Sequence, residues 1–133
     1  LDQQVEHLVQ TAADGRRAGK ALSAWTRRFH VSEAEFQLLW LLRTSAQVGR
    51  TQTTLARELA FSPAQVSVVV ERMRERGWIF QHRAAGDRRQ HLWCLSLSGR
   101  SLLEEMLSHT DELKFEPSSV ATKGDHDQQE AAA

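Results

Sequence analysis

The 133-residue chain is 41% hydrophobic and 26% charged; this fits one domain with one modest core, and no apolar run reaches the roughly 18 residues of a transmembrane helix. A single cysteine, Cys94, excludes an internal disulfide and suits a reducing cytoplasm. The formal charge of zero hides a split: residues 50–100 hold nine Arg and no Lys against Glu58, Glu71, Glu75 and Asp87, whereas residues 101–133 hold Lys114 and Lys123 against eight acids, so the middle suits a polyanion and the tail suits solvent.

The chain begins at Leu1 rather than Met, which leaves room for residues upstream, and its polar, charged opening has no signal-peptide pattern. Apolar residues at Val5, Leu8, Ala12, Ala18, Leu22, Trp25 and Phe29 fall near helical spacing. They predict one long helix, with Gly15 the place for a kink. Ser32-Glu33-Ala34-Glu35 is a capping box, and Phe36, Leu39, Trp40 and Leu42 follow as a central second helix. Gln47-Val48-Gly49-Arg50 makes a break. Thr51 or Thr53 then caps a short helix, Thr54–Ala60, that buries Leu55, Ala56 and Leu59.

Ser62-Pro63-Ala64-Gln65 opens the fourth helix with a hydroxyl cap, Pro at the first helical position and Gln at the third. Val66, Val69, Val70 and Met73 form one buried stripe, which turns Ala64, Gln65, Ser67, Val68, Glu71 and Arg72 outward or sideways. Three successive β-branched residues, Val68–Val70, are poor helix formers, so packing must hold this helix. Gly77 supplies the left-handed C-terminal conformation. Trp78–Arg83 reads as a strand, Ala84–Asp87 as turn material and Leu92–Leu95 as the returning strand, with Arg88 and Arg89 at the tip. Ser96 or Ser98 caps a fifth helix carrying Leu102, Leu103, Met106, Leu107 and Leu113. From Pro117 onward almost nothing can be buried, and disorder is expected.

With Leu55-Ala56, the Ser62 turn, Gly77-Trp78-Ile79, Asp87-Arg88-Arg89 and Leu95-Ser96-x-x-Gly99 in this order, the chain resembles the MarR family of winged helix-turn-helix transcription regulators from about Val31 to Leu107. The resemblance implies a mainly α fold with a two- or three-stranded β wing, flanked by N- and C-terminal dimerisation helices. Residues 1–116 would form the domain, with 1–30 and 97–115 dimerising and 51–96 the DNA-binding core; residues 117–133 are the polar tail. Thr54–Ala60 would support a recognition helix, Pro63–Arg76, in the major groove.

On that basis Gln65 is the base reader, since its amide pairs bidentately with adenine; Val68 meets a thymine methyl, and Ser62, Ala64, Ser67 and Arg72 complete the contact face. Arg89 would enter the minor groove, Arg83 and Arg88 would clamp the backbone, and Asp87 would orient the wing through an ion pair. Two of these have structural competitors. Gln65 is also the reciprocal partner of a capping box, and Arg72, Arg74 and Arg76 also suit the helix C-terminus. The resemblance further implies double-stranded DNA and a homodimer as partners, a palindromic operator, a repressor role, and a small aromatic effector held near Trp25 and Trp40. The family's further closing helix has no counterpart in the polar tail.

No enzyme constellation, cofactor motif or membrane segment is apparent, and Gly15–Gly19 lies in a helical pattern rather than after a strand. The six histidines show no metal-ligand spacing, although His82 and His91 could oppose each other across the hairpin. Two alternatives remain. One is a winged-helix module for protein–protein contacts; the other is a redox sensor acting through Cys94, its pKa lowered by Arg83 across the hairpin.

Overall fold

The computed structural model describes residues 1–44, 48–84 and 87–116, with only the backbone at 84 and 87–90. Five helices and one hairpin follow in order: α1 (Asp2–Thr26), α2 (Glu33–Thr44), α3 (Gln52–Leu59), α4 (Pro63–Glu75), β1 (Ile79–Ala84), β2 (Asp87–Leu95) and α5 (Leu97–Leu107). Single 3₁₀ turns at Arg27–Phe29 and Thr110–Glu112 follow α1 and α5. The predicted turn residues Ala85 and Gly86, the break residue Gln47 and the polar tail lie outside the described residues.

The helices α2 to α5 each start where a hydroxyl residue satisfies a free N–H group, whereas α1 starts at Leu1 with no side-chain cap. Around α2 the capping box is complete: Glu35 N–H donates to Ser32 Oγ (3.1 Å) and Ser32 N–H donates to Glu35 Oε1 (2.8 Å). Thr51 caps α3, Ser62 caps α4 and Ser96 caps α5. Gly77 takes φ +78° after α4, the left-handed conformation a non-glycine residue resists. Through Gly15, α1 runs on as helix.

Trp25, Leu38, Leu39, Leu42, Leu55, Val66, Met73, Leu103 and Met106 are at most 3% exposed and form the centre of one core. Met73 and the valines of α4 enter it, as the stripe predicts. From α1 only Trp25 and Thr26 are buried, while Leu1, Val5, Leu8 and Val9 stay exposed. Trp25 meets Phe36 edge-on at 5.1 Å between ring centroids, and its indole N–H donates to the His109 carbonyl (3.0 Å).

The sheet has two antiparallel strands, with Arg50 adding one isolated bridge to Trp93 from the segment before α3. Pairing runs from Ile79↔Leu95 to Arg83↔His91 and then jumps to Ala84↔Asp87. Arg88, Arg89 and Gln90 therefore form an extra, bulged stretch on β2 rather than the hairpin tip. A bulge re-aims the residues it carries.

Three bonds at the root of the hairpin explain the Leu95-Ser96-x-x-Gly99 pattern. Ser96 Oγ accepts from Gly99 N–H (3.0 Å) and donates to the Gly77 carbonyl (2.6 Å), while Ser96 N–H donates to the Trp78 carbonyl (2.9 Å). Gly99 packs so closely that an added Cβ would overlap the Trp78 carbonyl oxygen and sit 3.0 Å from its carbon. After Leu107, the Ser108 hydroxyl donates to the Glu105 carbonyl (2.6 Å) and α5 ends. Leu113 thus lies beyond α5, partly buried against the core, rather than on a continuous fifth helix.

Gly99→Ala is expected to destabilise the fold by about 1–3 kcal/mol through overpacking against backbone that has no free end to move. Gly15→Ala, with nothing within 4 Å of the new Cβ, is expected to stabilise by about 0.5–1 kcal/mol through helix propensity. Urea denaturation of both variants checks the pair, and equal midpoints would refute the close-packing account.

Candidate nucleic-acid interface

The sequence of α4 divides its surface cleanly. Val66, Val69, Val70 and Met73 are buried, and Ser62, Ala64, Gln65, Ser67, Val68 and Arg72 are exposed. Val68 remains 57% exposed, an apolar side chain turned away from the core on a helix with apolar surface to bury elsewhere. Ser62 Oγ accepts from Gln65 N–H (3.1 Å). The reciprocal bond from Ser62 N–H to the Gln65 amide, made in full by the equivalent pair at α2, is absent among the described residues. The carboxamide of Gln65 is therefore not engaged in capping in this structure.

Ion pairing sorts the arginines of residues 50–83 into two sets. Arg50 pairs with Glu58, Arg74 with Glu71, and Arg76 with Glu35. The hydrogen bond from Arg74 holds the Glu71 carboxyl below the usual carboxylate range and raises the Arg74 guanidinium in return. Arg57, Arg72 and Arg83 are exposed and make no ion pair among the described residues. Within residues 50–83 they are the arginines without an internal acid among the described residues.

Arg76 is structural, but its main partner is not the helix terminus alone. Its Nη1 lies 3.3 Å from each oxygen of the buried Glu35, its Nη2 donates to the His30 carbonyl (2.7 Å), and its guanidinium stacks 3.8 Å above the Trp78 ring. Sequence reasoning missed this clamp, since its members are spread from residue 30 to residue 78. It also missed Gln52, Thr53 and Arg57, which line a cleft with Phe61, Pro63 and Ser67 where α3 meets α4. The signal was available: Thr53 and Arg57 lie one turn apart on the face of α3 opposite Leu55 and Leu59.

On the wing, Arg83 is exposed on β1 opposite His91. Asp87, Arg88 and Arg89 belong to β2 by backbone, and their side chains lie outside the described residues. His82 pairs with Leu92, and His91 with Arg83, so the two imidazoles are offset by one position onto opposite faces of the hairpin. The described residues contain no cluster of three metal-ligating side chains.

Trp25 and Trp40 do converge. With Leu22, Phe36, Leu59, Leu107 and Leu113 they line a cavity of about 360 Å³ between α1, α2 and the segment after α5, with Gln37 and Thr110 as its polar members. The volume falls in the range of small-molecule sites.

Residues 31–90 match the MarR family. No curated protein matches the sequence. Among solved structures, the apo form of MarR from E. coli is 17% identical over 83% of this chain and 76% of that one, with a TM-score of 0.68. The S. aureus MepR–DNA complex is 21% identical over 98% of this chain and 95% of that one, with a TM-score of 0.61. A probable transcriptional regulator from Pseudomonas aeruginosa is 26% identical over 84% and 80%, with a TM-score of 0.64.

Cys94 sits on the same face as Phe80, its partner across the hairpin, whereas Arg83 faces the other way. It is buried, and Gly49 covers it so closely that a Cβ there would lie 2.7 Å from Sγ. Burial pushes the thiol pKa up, opposite to the direction a redox sensor needs. Iodoacetamide at neutral pH is expected to label Cys94 only after unfolding in guanidinium, as read by intact mass; rapid labelling of the folded protein would restore the sensor.

Proposed function

We propose, from the match of residues 31–90 to the MarR family, that the chain is a cytoplasmic DNA-binding transcriptional regulator of that type, using α4 to read the major groove and the β1–β2 hairpin as its wing. The observation that carries this reading is the outward face of α4: a carboxamide not engaged in capping, an exposed valine and an Arg72 without an ion pair among the described residues, on a helix whose other face is buried. Gln65 reads adenine, Val68 packs on a thymine methyl, and Ser62, Ala64, Ser67 and Arg72 contact the flanking bases and backbone. Arg83 and Arg88 clamp phosphates; Arg89, oriented with the help of Asp87, reaches the minor groove.

The protein acts as a homodimer on a palindromic operator, with its two recognition helices about 34 Å apart. The exposed Leu1, Val5, Leu8 and Val9 on α1 support this, since such side chains gain most from a second copy. Contacts from the segment Leu97–Phe115 complete the interface without a further closing helix. The cavity beside Trp25 and Trp40 takes a small aromatic effector, and its walls come from both α1 and the α2–α3 half. An occupant preferring one spacing of those walls shifts the recognition helices and releases DNA, so the regulator is a repressor relieved by ligand.

Selection of bound fragments from random duplexes is expected to return a palindrome, and a selection without enrichment would sink the reading in favour of a protein-interaction module. With the selected duplex, Gln65→Ala is expected to relax preference at one base position per half-site while leaving stability unchanged; an unaltered preference would confine Gln65 to the helix start. Arg89→Ala is expected to weaken binding by about 1–3 kcal/mol, and equal affinity in an anisotropy titration would remove the wing from the interface.

A further inference from the structure

The cavity beside Trp25 and Trp40 has a charge character as specific as its shape. Its walls are three aromatic side chains (Trp25, Phe36 and Trp40), four leucines, and two neutral polar residues, Gln37 and Thr110. No charged side chain is among these described walls. The Trp25 indole N–H is already given to the His109 carbonyl (3.0 Å). Arg43 lies over the Trp40 ring, 5.1 Å from its centroid, but is not a wall residue. Behind Gln37 stands a carboxylate. Gln37 Nε2 donates to Oε1 of Glu33 (3.0 Å), one turn earlier on α2. Glu33 makes no ion pair among the described residues, and both residues are half-buried. Gly19 of α1 gives that carboxylate its room: a Cβ there would sit 3.4 Å from Oε1 and 3.6 Å from Oε2, so a side chain longer than methyl would displace it. Because a carboxylate only accepts hydrogen bonds, the Gln37 amide nitrogen must face it, and the amide oxygen is directed elsewhere as an acceptor.

We propose that the Glu33–Gln37 pair is a charge filter: the cavity admits uncharged aromatic molecules that carry an O–H or N–H donor, and refuses aromatic carboxylates. The inference rests on the cavity being the effector site and fixes the class of effector. A carboxylate drawn into it would lose its hydration with no cation in the walls to replace it. It would also meet a like charge one amide away. A phenol in its uncharged form avoids both costs. Its ring packs among the aromatics, and its hydroxyl donates to the Gln37 oxygen, which Glu33 holds in place through the amide nitrogen. Gln37 is thus the contact and Glu33 the positioning residue.

Isothermal titration at neutral pH tests this with three probes on one ring system: 2-naphthol, 2-naphthoate and 2-naphthylmethylammonium. The parent is expected to bind naphthol roughly a hundredfold more tightly than naphthoate, from the lost hydration and the like charge together. In Glu33→Gln that ratio should fall by about tenfold through tighter naphthoate binding, with the thermal midpoint little changed. Gln37→Leu is expected to weaken naphthol by about fivefold to tenfold, as for one lost hydrogen bond, and to leave naphthalene itself unaffected. Equal affinity for naphthol and naphthoate in the parent, an unchanged ratio in Glu33→Gln, or an ammonium probe bound more tightly than naphthol would overturn the filter while leaving an aromatic site in place. Naphthol binding that survives Trp40→Ala undiminished, or a parent that binds none of the probes, would overturn the effector cavity and the filter with it.

Discussion

A buried carboxylate organises the molecule. Glu35 is 2% exposed, and an unpaired charge at such a depth would be strongly unfavourable. Its two partners come from separate places, Ser32 at the start of α2 and Arg76 at the end of α4, and Arg76 in turn reaches the His30 carbonyl and the Trp78 ring. The exit from α1, the start of the central helix, the end of α4 and the root of the hairpin are thereby tied at one point. Removing one member of a buried pair typically costs about 3–5 kcal/mol, with this pair toward the lower end because Arg76 is partly solvated. Phe36, the next residue along, is a wall of the aromatic cavity.

The same accounting of partners separates scaffold from interface. In a segment with nine arginines, charge alone gives no way to tell a solvated surface from a DNA contact. Geometry narrows the choice: Arg50, Arg74 and Arg76 each hold a carboxylate, and Arg57, Arg72 and Arg83 hold none among the described residues. The absence of lysine fits both uses, since the guanidinium fork serves a bidentate ion pair as well as a phosphate.

Local chemistry was the legible part of the fold. The capping box at Ser32, the hydroxyl cap at Ser62, the valine stripe of α4 and the stop at Gly77 all involve residues within one or two turns of each other, where backbone geometry leaves few choices. Strand register was harder. The bulge that carries Arg88 and Arg89 along β2 comes from non-local pairing, and residue types at a turn do not specify how many positions a strand skips. The end of α5 was misjudged for a related reason: Leu113 keeps an apolar side chain against the core after the helix has stopped, so periodicity alone extends it too far. The outward face of α4 followed directly from its apolar period. Arg57 did not, because what marks it is the prior engagement of its neighbour Glu58 by Arg50, a fact of tertiary structure.

The contact between Gly99 and the Trp78 carbonyl has a mechanical corollary. With no side chain between them, the first turn of α5 and the base of the hairpin touch backbone to backbone, and Ser96 bolts the joint from two sides. Such a joint has no slack. The first turn of α5 and the base of the hairpin therefore have little room to shift against each other, and the two are joined as one rigid corner.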